Sequence, residues 1–164
     1  MNQDAIRQYV SDTFDGVDIV IPEKGDGPEI AVGDTFFIYD PKRNLEAKHR
    51  FPFATIVTKD YPGFDEASNL NRPDVFRLNI GIGKETFRSL FESSATKDSS
   101  QTDRDYSVFD KILPHPTYAA QSWISIVNPS DDAFHELITP LLAEAYQIAA
   151  TRQAKRATTV EAEG

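Results

Sequence analysis

The chain has 164 residues, 40% of them hydrophobic, no cysteine, and a formal net charge of −9 from 17 basic and 26 acidic side chains. That length fits one domain with a core that needs no staples; the missing cysteine excludes disulfides, thiolate zinc sites and cysteine nucleophiles, and the acidic balance disfavours nucleic acid as a partner. The opening MNQDAIRQYVSDTF has neither a basic start nor an apolar run, and no window approaches the roughly 20 apolar residues that span a bilayer, so a cytoplasmic protein without a membrane partner is expected.

Ile6, Val10 and Phe14 recur at helical spacing and predict a short amphipathic helix over Asp4 to Phe14, ended by Asp15-Gly16. Val17 to Ile21 reads as a strand up to Pro22, and Lys24 to Pro28 as a turn. Glu29 to Val32 is a short strand candidate and Asp34 to Tyr39 a stronger one, closed by Asp40-Pro41. Lys42 to Arg50 is charged and aperiodic, a loop. Phe53 to Lys59 is rich in β-branched residues and predicts a strand. Asp60 to Pro73 is a long loop with one helical turn expected at Glu66 to Leu70.

Val75 to Ile82 alternates cleanly, with Phe76, Leu78 and Ile80 on one face and Val75, Arg77 and Asn79 on the other. Gly83 to Thr86 opens a helix whose apolar face is Phe87, Leu90 and Phe91. Ser93 to Asp105 is polar and serine-rich and reads as a mobile insertion; Tyr106 to Leu113 predicts a short helix before Pro114-His115-Pro116. Trp123 to Val127 is a strand. Ser130 is placed to cap a last helix carrying Phe134, Leu137, Ile138, Leu141, Leu142, Ala145, Ile148 and Ala149, in which Pro140 should produce a kink or a restart. Together these predict a single α+β domain over residues 1–150. It has a mostly antiparallel sheet of about five strands, with N-terminal, middle and C-terminal helices. A frayed tail is expected over 151–164.

Familiar chemical motifs are incomplete. Gly81-Ile82-Gly83-Lys84 ends like a phosphate loop, but Leu78 and Glu85 stand where its first glycine and its Mg²⁺-binding hydroxyl belong. His135-Glu136 begins like a helical zinc site, and Thr139 replaces the second histidine. No nucleophile elbow is present. No cofactor and no metal site is expected, and no catalytic residue is singled out.

Two groups remain as candidate ligand-binding residues. Arg77 and Asn79 share a strand face, with Lys59 at the end of a neighbouring strand. Such alternation ordinarily marks a solvated sheet face, yet a guanidinium, an amide and an ammonium together also grip a carboxylate or phosphate. The second group is His115, Tyr118, Gln121 and Trp123, where prolines on both sides fix the histidine backbone and the aromatics supply a wall. The same residues also suit a plug at the end of a sheet.

GDTFFIYDP (Gly33 to Pro41), PFATIVTKDYPGFD (Pro52 to Asp65), RPDVFRLNIG (Arg72 to Gly81), ETFRSLF (Glu85 to Phe91) and LPHPTYAAQSWISIVNP (Leu113 to Pro129) resemble a bacterial domain-of-unknown-function family, DUF six-one-nine-four, over about residues 3 to 150. That resemblance implies no catalytic residue. More distantly, Leu78-Asn79-Ile80 leading into Glu85 to Arg88, then the tryptophan strand Trp123 to Val127 and the final helix Ala133 to Ala149, resemble YjbR/MmcQ-like proteins. This implies a double-wing α+β fold and, for those proteins, a suggested binding to DNA, against which the net charge of −9 stands.

Three functions are therefore expected in descending order. The first is a non-enzymatic binding or interaction module for a small molecule or a protein. The second is an enzyme acting on a small anionic substrate, with His115 as acid or base and Arg77 as anchor, which requires the two within about 10 Å of each other. The third is DNA binding of the YjbR type.

Overall fold

The computed structural model describes residues 1–91 and 104–163, the last seven of these by their backbone alone. Helix α1 (Gln3–Thr13) starts where the Asn2 side chain accepts from the Ala5 amide, and it buries Ile6 and Val10. Strands β1 (Val17–Val20), β2 (Thr35–Tyr39), β3 (Pro52–Val57) and β4 (Arg77–Gly81) follow, then α2 (Lys84–Phe91), β5 (Leu113–Pro114) and β6 (Trp123–Val127). The six strands form one antiparallel sheet in the order β1-β2-β3-β4-β6-β5. The chain ends in α3 (Asp131–Ala133), a π turn over Phe134–Ile138, and α4 (Thr139–Glu163). The fold is α+β as the sequence predicts, with a sixth strand where Leu113–Pro114 pairs beside Ser125 and Ile124.

One sheet face carries Phe37, Ala54, Ile56, Leu78, Ile80, Ile124 and Ile126. It packs against Ile6 and Val10 of α1 and against Phe134, Ile138, Leu141, Leu142 and Ala145 of the C-terminal helix. Phe87 and Phe91 of α2 join this core from the side, whereas Leu90, expected on the same apolar face, is exposed. Tyr146 on α4 holds the far end of the layer, its ring stacked on Phe14 and edge-on to Tyr39 and Phe53.

Several expected elements take other forms. Glu29–Ala31 is a 3-10 turn rather than a strand, since Pro28 and Gly33 leave too few residues to pair. Lys42 to Arg50, expected as a loop, contains a 3-10 turn at Ala47–His49. The expected turn of helix at Glu66 to Leu70 is absent. The loop there is closed instead by Tyr61 and Asp65 exchanging backbone hydrogen bonds and by the Leu70 amide donating to Asp60. Tyr106 to Leu113 is not helical: Phe109 bridges to Val127 and Leu113 enters the sheet, so its apolar residues serve an edge. The insertion expected over Ser93 to Asp105 lies outside the described residues apart from its last two.

Pro140 is accommodated by the π turn. A proline lacks an N–H and its ring crowds the carbonyl four residues back; the wider turn, closed by the Thr139 amide on the Phe134 carbonyl, opens that space. The extra residue also rotates Leu137 away from the core, where it is 53% exposed. No helix among the described residues is long and apolar enough to cross a membrane.

Glu144 of α4 accounts for the incomplete phosphate motif. Its carboxylate accepts from the Gly83 amide at 2.9 Å and from the Thr86 hydroxyl at 2.6 Å, so it occupies the N-terminus of α2 itself. Glu144→Ala is expected to lower stability by about 1–2 kcal/mol, measured by urea denaturation. An unchanged midpoint would show that this cap contributes nothing.

Candidate functional site

The second sheet face is where the sequence places its polar candidates, and it is not solvated. Arg77 is 0% and Asn79 2% exposed. The loop between β3 and β4 folds over them, sealed by a small apolar cluster of Leu70, Val75, Val127 and Val57. Its tight closure delivers Asp65 and Ser68 to the Arg77 guanidinium. Nη1 donates to Asp65 Oδ1 at 3.0 Å and to Ser68 Oγ at 2.8 Å, and Nη2 donates to Asp65 Oδ2. Nε donates to Asn79 Oδ1 at 2.8 Å, and Asn79 Nδ2 passes the chain on to Thr55 Oγ1 at 2.9 Å across the strand pair. Four of the five N–H donors of Arg77 are thus engaged within the protein.

His115 completes this cluster, with Nε2 3.3 Å from Arg77 Nη2. The two residues meet well inside the reach that a shared site requires. The histidine Nδ1 accepts from the Thr117 and Tyr118 amides, each at 3.0 Å. A neutral ring with Nδ1 as acceptor carries its proton on Nε2. The approach to Arg77 is therefore a packing contact between two donors, not a hydrogen bond. Burial, and then the neighbouring Arg77 charge, depress the His115 pKa to about 3 against a weaker opposing pull from Asp65. Tyr118 covers the ring at 5.0 Å and meets the exposed Phe64 edge-on, closing the cluster from outside.

Lys59 belongs to a different group. Its ammonium donates to the Val32 carbonyl at 2.6 Å and reaches the buried Asp34 carboxylate at 3.4 Å. Asp34 also accepts from the Thr58 amide and hydroxyl and, by a short bond, from the Tyr61 hydroxyl. Burial and this carboxylate raise the Tyr61 pKa.

Trp123 lies opposite Gly81 on the same sheet face as Arg77 and Asn79, and with Gln121 it lines an open cleft of about 320 Å³ at the end of the sheet. Its floor is Trp123, whose indole lies so close over Gly81 that a Cβ there would sit 2.9 Å from Cε2, which is why this strand position is glycine. One wall is the segment with Leu45, His49 and Phe51, the last 70% exposed. Arg50 ties that segment down, donating to Asp40 at 2.8 Å and to Asp18 at 2.7 Å, and Asp40 also accepts from the Asn44 and Leu45 amides. The other wall is α4, with Ala145, Ile148 and Ala149 followed by Arg152, Gln153 and Arg156.

Among the described residues no carboxylate lines this cleft, although the chain holds 26 of them. Neither Arg152 nor Arg156 makes an ion pair among the described residues. Its walls therefore carry two positive charges in an acidic protein. No group of residues suited to a metal ion occurs among the described residues. The sequence reading passes over His49, Phe51, Arg152, Gln153 and Arg156. The signal for the last three was the continuing three-four spacing from Ala145 and Ile148.

A family model described as "Family of unknown function (DUF6194)" matches residues 1–158. The chain belongs to DUF6194. No curated protein and no solved structure matches it, so the likeness to YjbR/MmcQ-like proteins gains no support from a structural neighbour. The DUF6194 match covers every element that builds the cleft, including the α4 segment with Arg152 and Arg156.

Proposed function

We propose that this DUF6194 chain is a non-enzymatic binding module that holds a small anionic molecule in the cleft floored by Trp123. The observation that carries this reading is the charge of the lining: two arginines and, among the described residues, no carboxylate, in a chain of net charge −9. An acidic protein repels anions at long range, so a local cationic pocket walled by apolar surface favours a compact anion over an extended polyanion such as DNA. A cytoplasmic setting fits the cysteine-free composition.

The enzymatic alternative has less support. Arg77 spends four of its five N–H donors on Asp65, Ser68 and Asn79, and the remaining one, on Nη2, is buried against the His115 ring rather than offered to a substrate. His115 is 3% exposed and stays neutral down to about pH 3, far from the range in which histidine exchanges protons at neutral pH.

Trp123 is the chain's single tryptophan, so its fluorescence reports on the cleft directly. Titration with a panel of small carboxylates and phosphates is expected to give saturable quenching that weakens as salt rises and disappears in an Arg152→Gln/Arg156→Gln double variant of unchanged circular dichroism. Fluorescence unresponsive to every anion in the panel would overturn the reading.

A further inference from the structure

The cleft has two chemically distinct ends, and their spacing narrows the class of ligand; this step rests on the binding reading above. At one end Trp123 lies on Gly81, and two residues on, a Cβ placed on Gly83 would stand 3.9 Å from Ile148 Cδ1. The apolar end is thus level with Ile148 on α4. Arg152 and Arg156 follow on the same helix face, and at a rise of about 1.5 Å per residue they stand roughly 6 and 12 Å further along. A ligand filling the cleft therefore has a flat apolar group at one end, an anion at the other, and a spacer the size of a sugar between them.

The anionic end asks for more than a carboxylate. One guanidinium fork already saturates a carboxylate, whereas two guanidinium groups four residues apart on a helix converge on a group with three terminal oxygens and two charges. That describes a phosphomonoester. Gln121 and Gln153 each offer an amide donor and an amide acceptor at the walls, suited to sugar hydroxyls or to the edge of a heterocycle. Among the described residues the lining has no carboxylate to hold the Mg²⁺ that accompanies di- and triphosphates.

We propose that the cleft binds a nucleoside monophosphate, with its base stacked on Trp123 and its phosphate between Arg152 and Arg156. Base-on-indole stacking tolerates any base, since each has a π face, so the site selects the mononucleotide class rather than one base. Gly81 contributes by setting the indole plane, because any side chain there would displace the ring.

The test is tryptophan fluorescence of the full chain titrated with adenosine monophosphate, adenosine, ribose 5-phosphate, inorganic phosphate and benzoate. Adenosine monophosphate is expected to quench saturably and to bind at least tenfold more tightly than adenosine, ribose 5-phosphate or inorganic phosphate. Arg156→Gln is expected to remove at least tenfold of that affinity while leaving the weak binding of adenosine unchanged. Equal affinity for the nucleotide and for either of its halves would overturn the proposal. If benzoate or inorganic phosphate binds and the nucleotide does not, the mononucleotide assignment fails and the anion-binding cleft stands. If none of the five probes alters fluorescence or melting temperature, both fail.

Discussion

Replacing Asp65 with alanine is expected to lower the stability of this protein by about 3–5 kcal/mol, because it leaves a buried guanidinium without its counter-charge. Arg77 is completely buried, and Asp65 supplies both oxygens of its fork. Water cannot substitute while Leu70 and Val75 seal the loop above the strand. For a chain of this length the loss corresponds to a fall in melting temperature of roughly 6–20 °C. The comparison that isolates the charge is the double variant Asp65→Leu/Arg77→Met, which removes both partners and is expected to recover most of the loss. A cost below about 1 kcal/mol for Asp65→Ala would mean that Arg77 reaches solvent, contrary to its burial.

The second large effect is a loss of stability in mild acid that belongs to His115. Its folded pKa is depressed to about 3 by burial and by Arg77, while the unfolded value is about 6.5. Below pH 6.5 the unfolded chain takes up a proton that the folded chain refuses, so stability falls as pH falls through this window, by about 1.4 kcal/mol per unit and at most about 4–5 kcal/mol in all. Above pH 6.5 the contribution is complete and flat. His115→Asn keeps an acceptor near the Thr117 and Tyr118 amides and removes the titration, so its stability should vary less between pH 6 and 4 than that of the unaltered chain. Identical slopes in urea denaturation series of the two proteins would remove His115 as the source.

These effects concern the residues where the sequence was least readable. The strands around Phe37, Phe53 and Ile80 and the helices around Ile6 and Leu141 follow from apolar spacing alone, and the structure places them as expected. The alternation of Arg77 and Asn79 with Leu78 and Ile80 reads as a wet face because a period of two reports only that two faces differ. It carries no trace of the loop that covers the second one. The meeting of His115 with Arg77 was likewise a question of distance that no spacing answers, since 38 positions separate them. Gln121 and Trp123 were legible as a rim, while their partners Arg152 and Arg156 were hidden in a segment without core residues. A helix that leaves the core keeps its period and loses its hydrophobicity, and hydrophobicity is what sequence reading follows.

The unlike cover of the two sheet faces has a consequence for how the molecule opens. One face is held by α1 and the C-terminal helix through a continuous apolar layer. The other is held by one loop, a four-residue apolar cluster and the polar bonds around Arg77. Amides of β3, β4 and β6 are bonded on both edges within the sheet and are expected to exchange with deuterium only on global unfolding. Those of Tyr61, Asp65 and Leu70 close the loop and are expected to exchange sooner, in one cooperative step. The sheet would then breathe on one side only, as a door hinged on β3 and β4 and latched by Asp65.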